Sequence, residues 1–253
     1  MAKRPKILIL GGTGEARALA NALDAAGACE VVTSMAGRTA EPERPAGAMR
    51  RGGFGGAEGL AGYLQSEAVS AVVDATHPYA ALISRNAALA CSEAGVPRLM
   101  LLRPPWQPES GGRWTRVASP EDAAALLTSH GRRVFLAIGR QELSAFANRA
   151  GVWFLVRSIE PAGALDGLPN VLLLNARGPF ALDDETALLR DHAIDCLVAR
   201  NSGGTATYAK IAAARALGLP VIMLARPKPP AGETVGDVEA AVRWVADKFP
   251  SIC

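Results

Sequence analysis

The chain has 253 residues, 49% of them hydrophobic, and a formal net charge of +3. That length suits two compact domains, the apolar content is too high for a disordered chain, and the charge is too mild to argue for a nucleic-acid partner. Aromatic residues are few and do not alternate with basic ones, which argues against a single-strand stacking platform, and no run of the ~18 apolar residues that a membrane span needs occurs.

The basic start, Met1 to Lys6, precedes only four apolar residues before Gly11, so it is expected to lead into a first strand rather than to act as a signal peptide. The four cysteines (Cys29, Cys91, Cys196, Cys253) include no C-x-x-C pair, and the three histidines (His77, His130, His192) stand apart. Reduced thiols, no metal site and a cytoplasmic location are therefore expected.

Strands alternate with helices along the whole chain. The first strand, near 6–10, runs through Ile7-Leu8-Ile9-Leu10 into Gly11-Gly12-Thr13-Gly14-Glu15, and Leu19, Ala20 and Leu23 then recur at helical spacing over 15–26. A strand, a glycine turn and a helix in that order aim backbone N–H groups and the positive end of a helix dipole at one point, where a phosphate can sit. Arg17 stands where the usual G-x-G-x-x-G pattern has its third glycine, and a purely structural turn is the alternative.

A second strand near 28–33 leads into Thr33-Ser34-Met35-Ala36-Gly37-Arg38. An acidic residue here would hold a ribose 2′-hydroxyl, whereas hydroxyls with arginine suit a 2′-phosphate, so Ser34 and Arg38 favour NADPH. Arg50-Arg51-Gly52-Gly53-Phe54-Gly55-Gly56 precedes a helix near 57–66 and either brings backbone, at Gly53, close to a cofactor or is a flexible loop. Asp74-Ala75-Thr76-His77-Pro78-Tyr79-Ala80 follows a strand near 70–74 and starts a helix near 79–94, with Thr76 or His77 as cap and Pro78 in the first turn. It puts polar side chains where a nicotinamide would lie, with His77 and Tyr79 as candidate proton donors against a capping and packing role.

After a strand near 98–102, the turn-forming stretch Pro104–Gly112 is the candidate linker. Further strands are expected near 133–138, 152–156, 171–174, 194–198 and 220–224, and helices near 120–129, 141–149, 181–191, 205–217 and 234–248. Gly95-x-Pro97-x-x-Met100-Leu101-x-Arg103-Pro104 recurs as Gly218-x-Pro220-x-x-Met223-Leu224-x-Arg226-Pro227, which points to two equivalent halves. The expected architecture is α/β: two Rossmann-like domains, 1–108 and 113–253, each a mainly parallel sheet flanked by helices, with the strand ends around a shared cleft.

In the second half, Asn201-Ser202-Gly203-Gly204-Thr205 looks like the counterpart of the opening motif and, with Lys210, a seat for an anionic ligand. Tyr208 and Lys210 are two residues apart, which puts them on different helix faces and disfavours a Tyr-x-x-x-Lys type of catalysis. Arg140, Arg157 and Arg177 each follow an expected strand and would line an anion pocket, with simple solvation as the alternative. No G-x-S-x-G elbow or Walker lysine occurs.

Taken together, Gly-Gly-Thr-Gly-Glu-Ala-Arg (11–17), Gly-Gly-Phe-Gly-Gly (52–56), Asp-Ala-Thr-His-Pro-Tyr-Ala (74–80), Arg-Pro-x-Trp (103–106), Gly-Arg-Gln-Glu-Leu (139–143) and Asn-Ser-Gly-Gly-Thr (201–205) with Lys210 resemble the precorrin-6A reductase family of cobalamin biosynthesis. The motifs run in order across essentially the whole chain. The resemblance implies NADPH-dependent reduction of one double bond of a corrin-precursor macrocycle, precorrin-6A to precorrin-6B. It implies that Gly12, Thr13, Gly14, Glu15, Ser34 and Arg38 hold NADPH, with Thr76 and His77 near the nicotinamide. Asn201, Ser202, Gly203, Gly204, Thr205 and Lys210 would face the polycarboxylate ring, and Tyr79, His77, Lys210 or solvent would supply the proton. Neighbouring corrin-pathway enzymes are further candidate partners. Rival readings are a reductase of the cobalt-containing ring, a reductase of another small molecule, and an NADP(H)-sensing module without turnover.

Overall fold

The structure is a computed structural model and describes residues 4–36, 44–158, 167–168 and 170–250. The chain opens with β1 (Lys6–Leu10), α1 (Gly14–Ala26), β2 (Glu30–Met35), β3 (Ala48–Arg51), α2 (Gly56–Ser66), β4 (Val69–Asp74), α3 (Ala81–Ala94) and β5 (Arg98–Leu101). It continues with β6 (Arg113–Val117), α4 (Pro120–His130), β7 (Arg133–Ala137), a 3₁₀ helix (Arg140–Phe146), β8 (Trp153–Ser158), β9 (Val171–Asn175), α5 (Leu182–Asp191), β10 (Cys196–Arg200), α6 (Ala209–Ala216) and β11 (Pro220–Leu224). β12 (Glu233–Val235) and α7 (Val238–Lys248) close it.

Two six-stranded sheets result, ordered β12-β5-β4-β1-β2-β3 and β6-β11-β10-β7-β8-β9, and every pairing within them is parallel. This is the expected pair of Rossmann-like sheets. A parallel sheet covered on both faces needs apolar residues at successive positions. In β1, Ile7 and Ile9 join one buried cluster with Leu19, Leu23 and Val31, while Leu8 and Leu10 join a second with Leu60, Leu64 and Ala87. The second unit has its own core around Phe135, Leu155, Leu197, Ile211 and Val221.

The expected second domain, 113–253, needs correction. One compact unit comprises residues 1–104 with 227–253, and the other comprises 105–226. The cause is an exchange of sixth strands. β6 comes early in the chain yet pairs with β11, and β12 comes last yet pairs with β5, from Glu233↔Leu99 to Val235↔Leu101. α7 then buries Ala241, Trp244 and Val245 in the same cluster as Ile7 and Leu19. The recurring Gly-x-Pro segment marks the same place in both units: Gly95 caps α3 ahead of β5, and Gly218 follows α6 ahead of β11.

Candidate functional site

Three short segments of the first unit build the candidate cofactor site, at the carboxyl ends of β1, β2 and β4. At the β1–α1 turn, Gly12 has φ +108°, a conformation that L side chains rarely adopt. Thr13 caps α1: its Oγ1 accepts from the Ala16 N–H at 3.1 Å and donates to the Ala75 carbonyl at 2.7 Å, which ties the turn to the end of β4. Its hydroxyl is thereby used within the fold. The first backbone bond of α1 is Arg17 N–H to Thr13 O, so the N–H groups of Gly14 and Glu15 lie ahead of the helical ladder, as helix starts provide.

Gly14 differs from its neighbours in a telling way. Its φ is not in the left-handed range, and a Cβ there would meet nothing within 4 Å. The fold therefore has no need of glycine at this position, whereas a pyrophosphate lying against the helix start does. This open space fits the dinucleotide that the turn implies. Glu15 pairs with Arg103, Oε2 to Nη1 at 2.7 Å. A shallow recess beside them is lined by Thr13, Glu15, Ala75, Thr76, Pro78 and Arg103, so the expected cofactor residues Thr13, Glu15 and Thr76 do come together.

At the end of β4 the expected cap is absent. α3 begins at Ala81 with Ala80 as its N-cap and no side-chain bond. Thr76 Oγ1 instead donates to Asp74 Oδ1 at 2.7 Å and lies 3.3 Å from Ser84 Oγ. His77 to Ala80 form a turn, closed by Ala80 N–H to His77 O at 2.7 Å, with the His77 and Tyr79 rings 5.7 Å apart. Asp74 is fully buried and its second carboxylate oxygen has no hydrogen-bond partner among the described residues.

Ser34 and Gly53 are joined by a residue that the sequence reading left unassigned. Arg50 Nη1 donates to Ser34 Oγ at 3.0 Å and to the Gly52 carbonyl at 2.8 Å, and Nη2 donates to the Gly53 carbonyl at 2.8 Å. Its guanidinium lies over the Phe54 ring, 3.7 Å from the centroid. An arginine pair before a glycine run with an aromatic inside it was the available signal. Arg38 lies outside the described residues.

The Asn201–Thr205 turn follows β10, and β10 occupies in its sheet the place that β4 occupies in the other. Its counterpart is therefore Asp74–Pro78, not the opening motif; that counterpart is the segment after β7, where a 3₁₀ helix forms. The helix expected from 205 starts at Ala209 and its N-cap, Tyr208, makes no side-chain capping bond. Asn201 is buried and spans the Trp106 backbone, and Trp106 Nε1 donates to the Gly204 carbonyl at 2.7 Å. Gly203 and Gly204 have φ +68° and +71°. Lys210 is buried: Nζ donates to the Thr207 carbonyl at 2.6 Å and lies 5.0 Å from the Trp106 ring centroid. Burial pushes its pKa down to about 7, with the Arg157 charge adding to the fall and Glu185 opposing it.

Ser202 is half-buried and Thr205 exposed, as are Arg140 and Arg177. Arg157 departs from its expected place in an anion pocket. Its guanidinium makes a two-point pair with Glu185, both side chains nearly buried, and stacks over Phe180 at 3.7 Å. Tyr208 donates to Glu109, which also pairs with Arg215. Among the described residues, no group of three or more His, Cys, Asp or Glu could hold a metal, and no helix is long and apolar enough to cross a membrane.

Residues 6–246 match the model of the precorrin-6x reductase family CbiJ/CobK. A precorrin-6A reductase from Rhodococcus erythropolis is 55% identical over 241 residues, covering 95% of this chain and 97% of that relative. A cobalt-precorrin-6A reductase from Salmonella typhimurium is 30% identical, covering 95% of this chain and 97% of that relative. A solved structure of CobK precorrin-6A reductase superposes with a TM-score of 0.91 at 43% identity, covering 97% of each chain.

Proposed function

The chain belongs to the precorrin-6x reductase family and is an oxidoreductase; on that premise we propose that it reduces one double bond of metal-free precorrin-6A with NADPH, giving precorrin-6B. The observation that carries the cofactor assignment is the β1–α1 turn, where Gly12 sets the bend, Thr13 fixes it to β4 and Gly14 leaves open the space that a side chain would fill. The identity to the relative named for the metal-free ring, 55% against 30% for the cobalt-named one, supports the choice of substrate.

Bound NADPH supplies the hydride, and a proton completes the addition across the double bond. The N–H groups of Gly14 and Glu15 hold the pyrophosphate, and Ser34 and Gly53 face the adenosine end; Arg38, outside the described residues, is assigned to that end on its sequence position alone. Thr76, fixed by Asp74, borders the nicotinamide, with His77 and Tyr79 as the acids beside it. Arg140, Arg177, Ser202 and Thr205 offer donors to the carboxylates of the ring. Asn201, Gly203, Gly204 and Lys210 act on that ring indirectly, by shaping the turn that carries Ser202 and Thr205. Lys210, buried and tied to the Thr207 carbonyl, is read as a positioning residue rather than as the proton donor.

The test is a pair of anaerobic steady-state assays on precorrin-6A, one with NADPH and one with NADH. A kcat/KM at least about tenfold higher with NADPH, the equivalent of ~1.4 kcal/mol, supports the reading. Equal values remove NADPH as the specific donor.

A further inference from the structure

Arg50 is held as few half-exposed arginines are. It is the third residue of β3, beside β2 and in register with Ser34. Three hydrogen bonds, to Ser34 Oγ and to the carbonyls of Gly52 and Gly53, fix its plane, and the Phe54 ring covers one face with Tyr63 5.2 Å from the guanidinium carbon. These bonds engage both Nη atoms, and no bond from Nε–H is made among the described residues. No carboxylate pairs with Arg50 there either. A rigid cation with no carboxylate partner among the described residues suits a tetrahedral oxyanion.

We infer that Arg50 is the specificity-determining residue for the cofactor's adenosine 2′-phosphate, an assignment that rests on the NADPH reading. In a dinucleotide-binding sheet the adenosine ribose lies at the end of the second strand. Here that end is Thr33-Ser34-Met35, with no acidic side chain to hold a free 2′-hydroxyl. Ser34 accepts from Arg50, so its own O–H remains available to donate to the same phosphate. Stacking on Phe54 keeps the guanidinium in place before the cofactor arrives, which lowers the entropy cost of binding.

Calorimetric titration of the full chain with two ligand pairs tests this: NADPH against NADH, and adenosine 2′,5′-bisphosphate against 5′-AMP. The unsubstituted protein is expected to prefer the 2′-phosphorylated member of each pair. Arg50→Gln keeps a polar hydrogen-bonding group but is shorter and loses the charge. It should weaken NADPH about 10- to 100-fold, the range for a charge-assisted bond, while leaving NADH within about twofold. Arg50→Lys keeps the charge without the fork and should fall between, so one variant stands if the other unfolds the loop. Equal weakening of NADPH and NADH would reduce Arg50 to a loop tie and overturn the assignment. So would a preference that survives both substitutions. Absence of any 2′-phosphate preference in the unsubstituted protein would instead bring down the NADPH reading itself.

Discussion

Asn201 holds Trp106 with both ends of its amide: Oδ1 accepts from the Trp106 N–H at 2.7 Å, and Nδ2 donates to the Trp106 carbonyl at 2.9 Å. The side chain thus stands in for a backbone strand partner, and Trp106 Nε1 returns a third bond to the Gly204 carbonyl. Asn201→Ala leaves two backbone groups of a buried residue without partners, at a cost of about 2–4 kcal/mol measured by denaturant unfolding. Any variant that still folds should show a raised KM for the macrocycle, because the turn carrying Ser202 and Thr205 loses its anchor. A change below ~0.5 kcal/mol would mean that the amide contributes little.

Gly12 and Gly14 are two residues apart and should respond differently to alanine. Gly12→Ala forces a Cβ onto a φ of +108° and should cost about 1–3 kcal/mol of stability. Gly14→Ala meets no neighbour within 4 Å and lies at the start of a helix, so stability should hold or rise slightly. Cofactor affinity should nevertheless fall about tenfold or more, because the methyl group enters the space assigned to the pyrophosphate. Unchanged affinity in a stable Gly14→Ala protein would show that this space is not the cofactor's.

Lys210 makes stability depend on pH. Its folded pKa, about 7, lies below the ordinary value of 10.5, so between these two values the unfolded chain binds more protons than the folded one. Stability contributed by this group therefore rises as pH increases through that window, by up to ~1.4 kcal/mol per pH unit, and the penalty is constant below it. Cys91 and Cys196, pushed up by burial to about 11 and about 12, act in the opposite sense once unfolded thiols ionise near 9. Unfolding curves from pH 7 to 8.5 isolate the lysine. Lys210→Met should flatten the rise in that interval, and an identical slope in both proteins would assign it to other groups.

The layering of the fold was legible because its central strands are continuous apolar runs. Ile7–Leu10, Ala71–Val73 and Leu197–Ala199 must face helices on both sides, and glycines punctuate the connections between them. β3, β6 and β12 were not expected as strands. They lie at or near sheet edges, read Ala-Met-Arg-Arg, Arg-Trp-Thr-Arg-Val and Glu-Thr-Val, and carry no buried run. The exchange of sixth strands follows from two of these, and a local repeat gives no hint that β12 belongs beside β5. At the site, the glycine turn was plain from spacing alone. The role proposed for Arg50 was not, because it depends on Ser34 of β2 and Phe54 of the following loop both meeting its side chain. Asn201 and Lys210 were chosen for their chemistry, yet their partners Trp106 and Thr207 are visible only in three dimensions.

Hydride transfer itself gives the most direct test of the central claim. Metal-free precorrin-6A is incubated anaerobically with the protein and NADPH deuterated at the transferable C4 position, and the product is weighed by mass spectrometry. The account predicts a product that has gained one deuterium from the cofactor and one hydrogen from solvent, with one cofactor oxidised for each ring reduced. A ring of unchanged mass, beside turnover of the cobalt-containing ring under the same conditions, would contradict it.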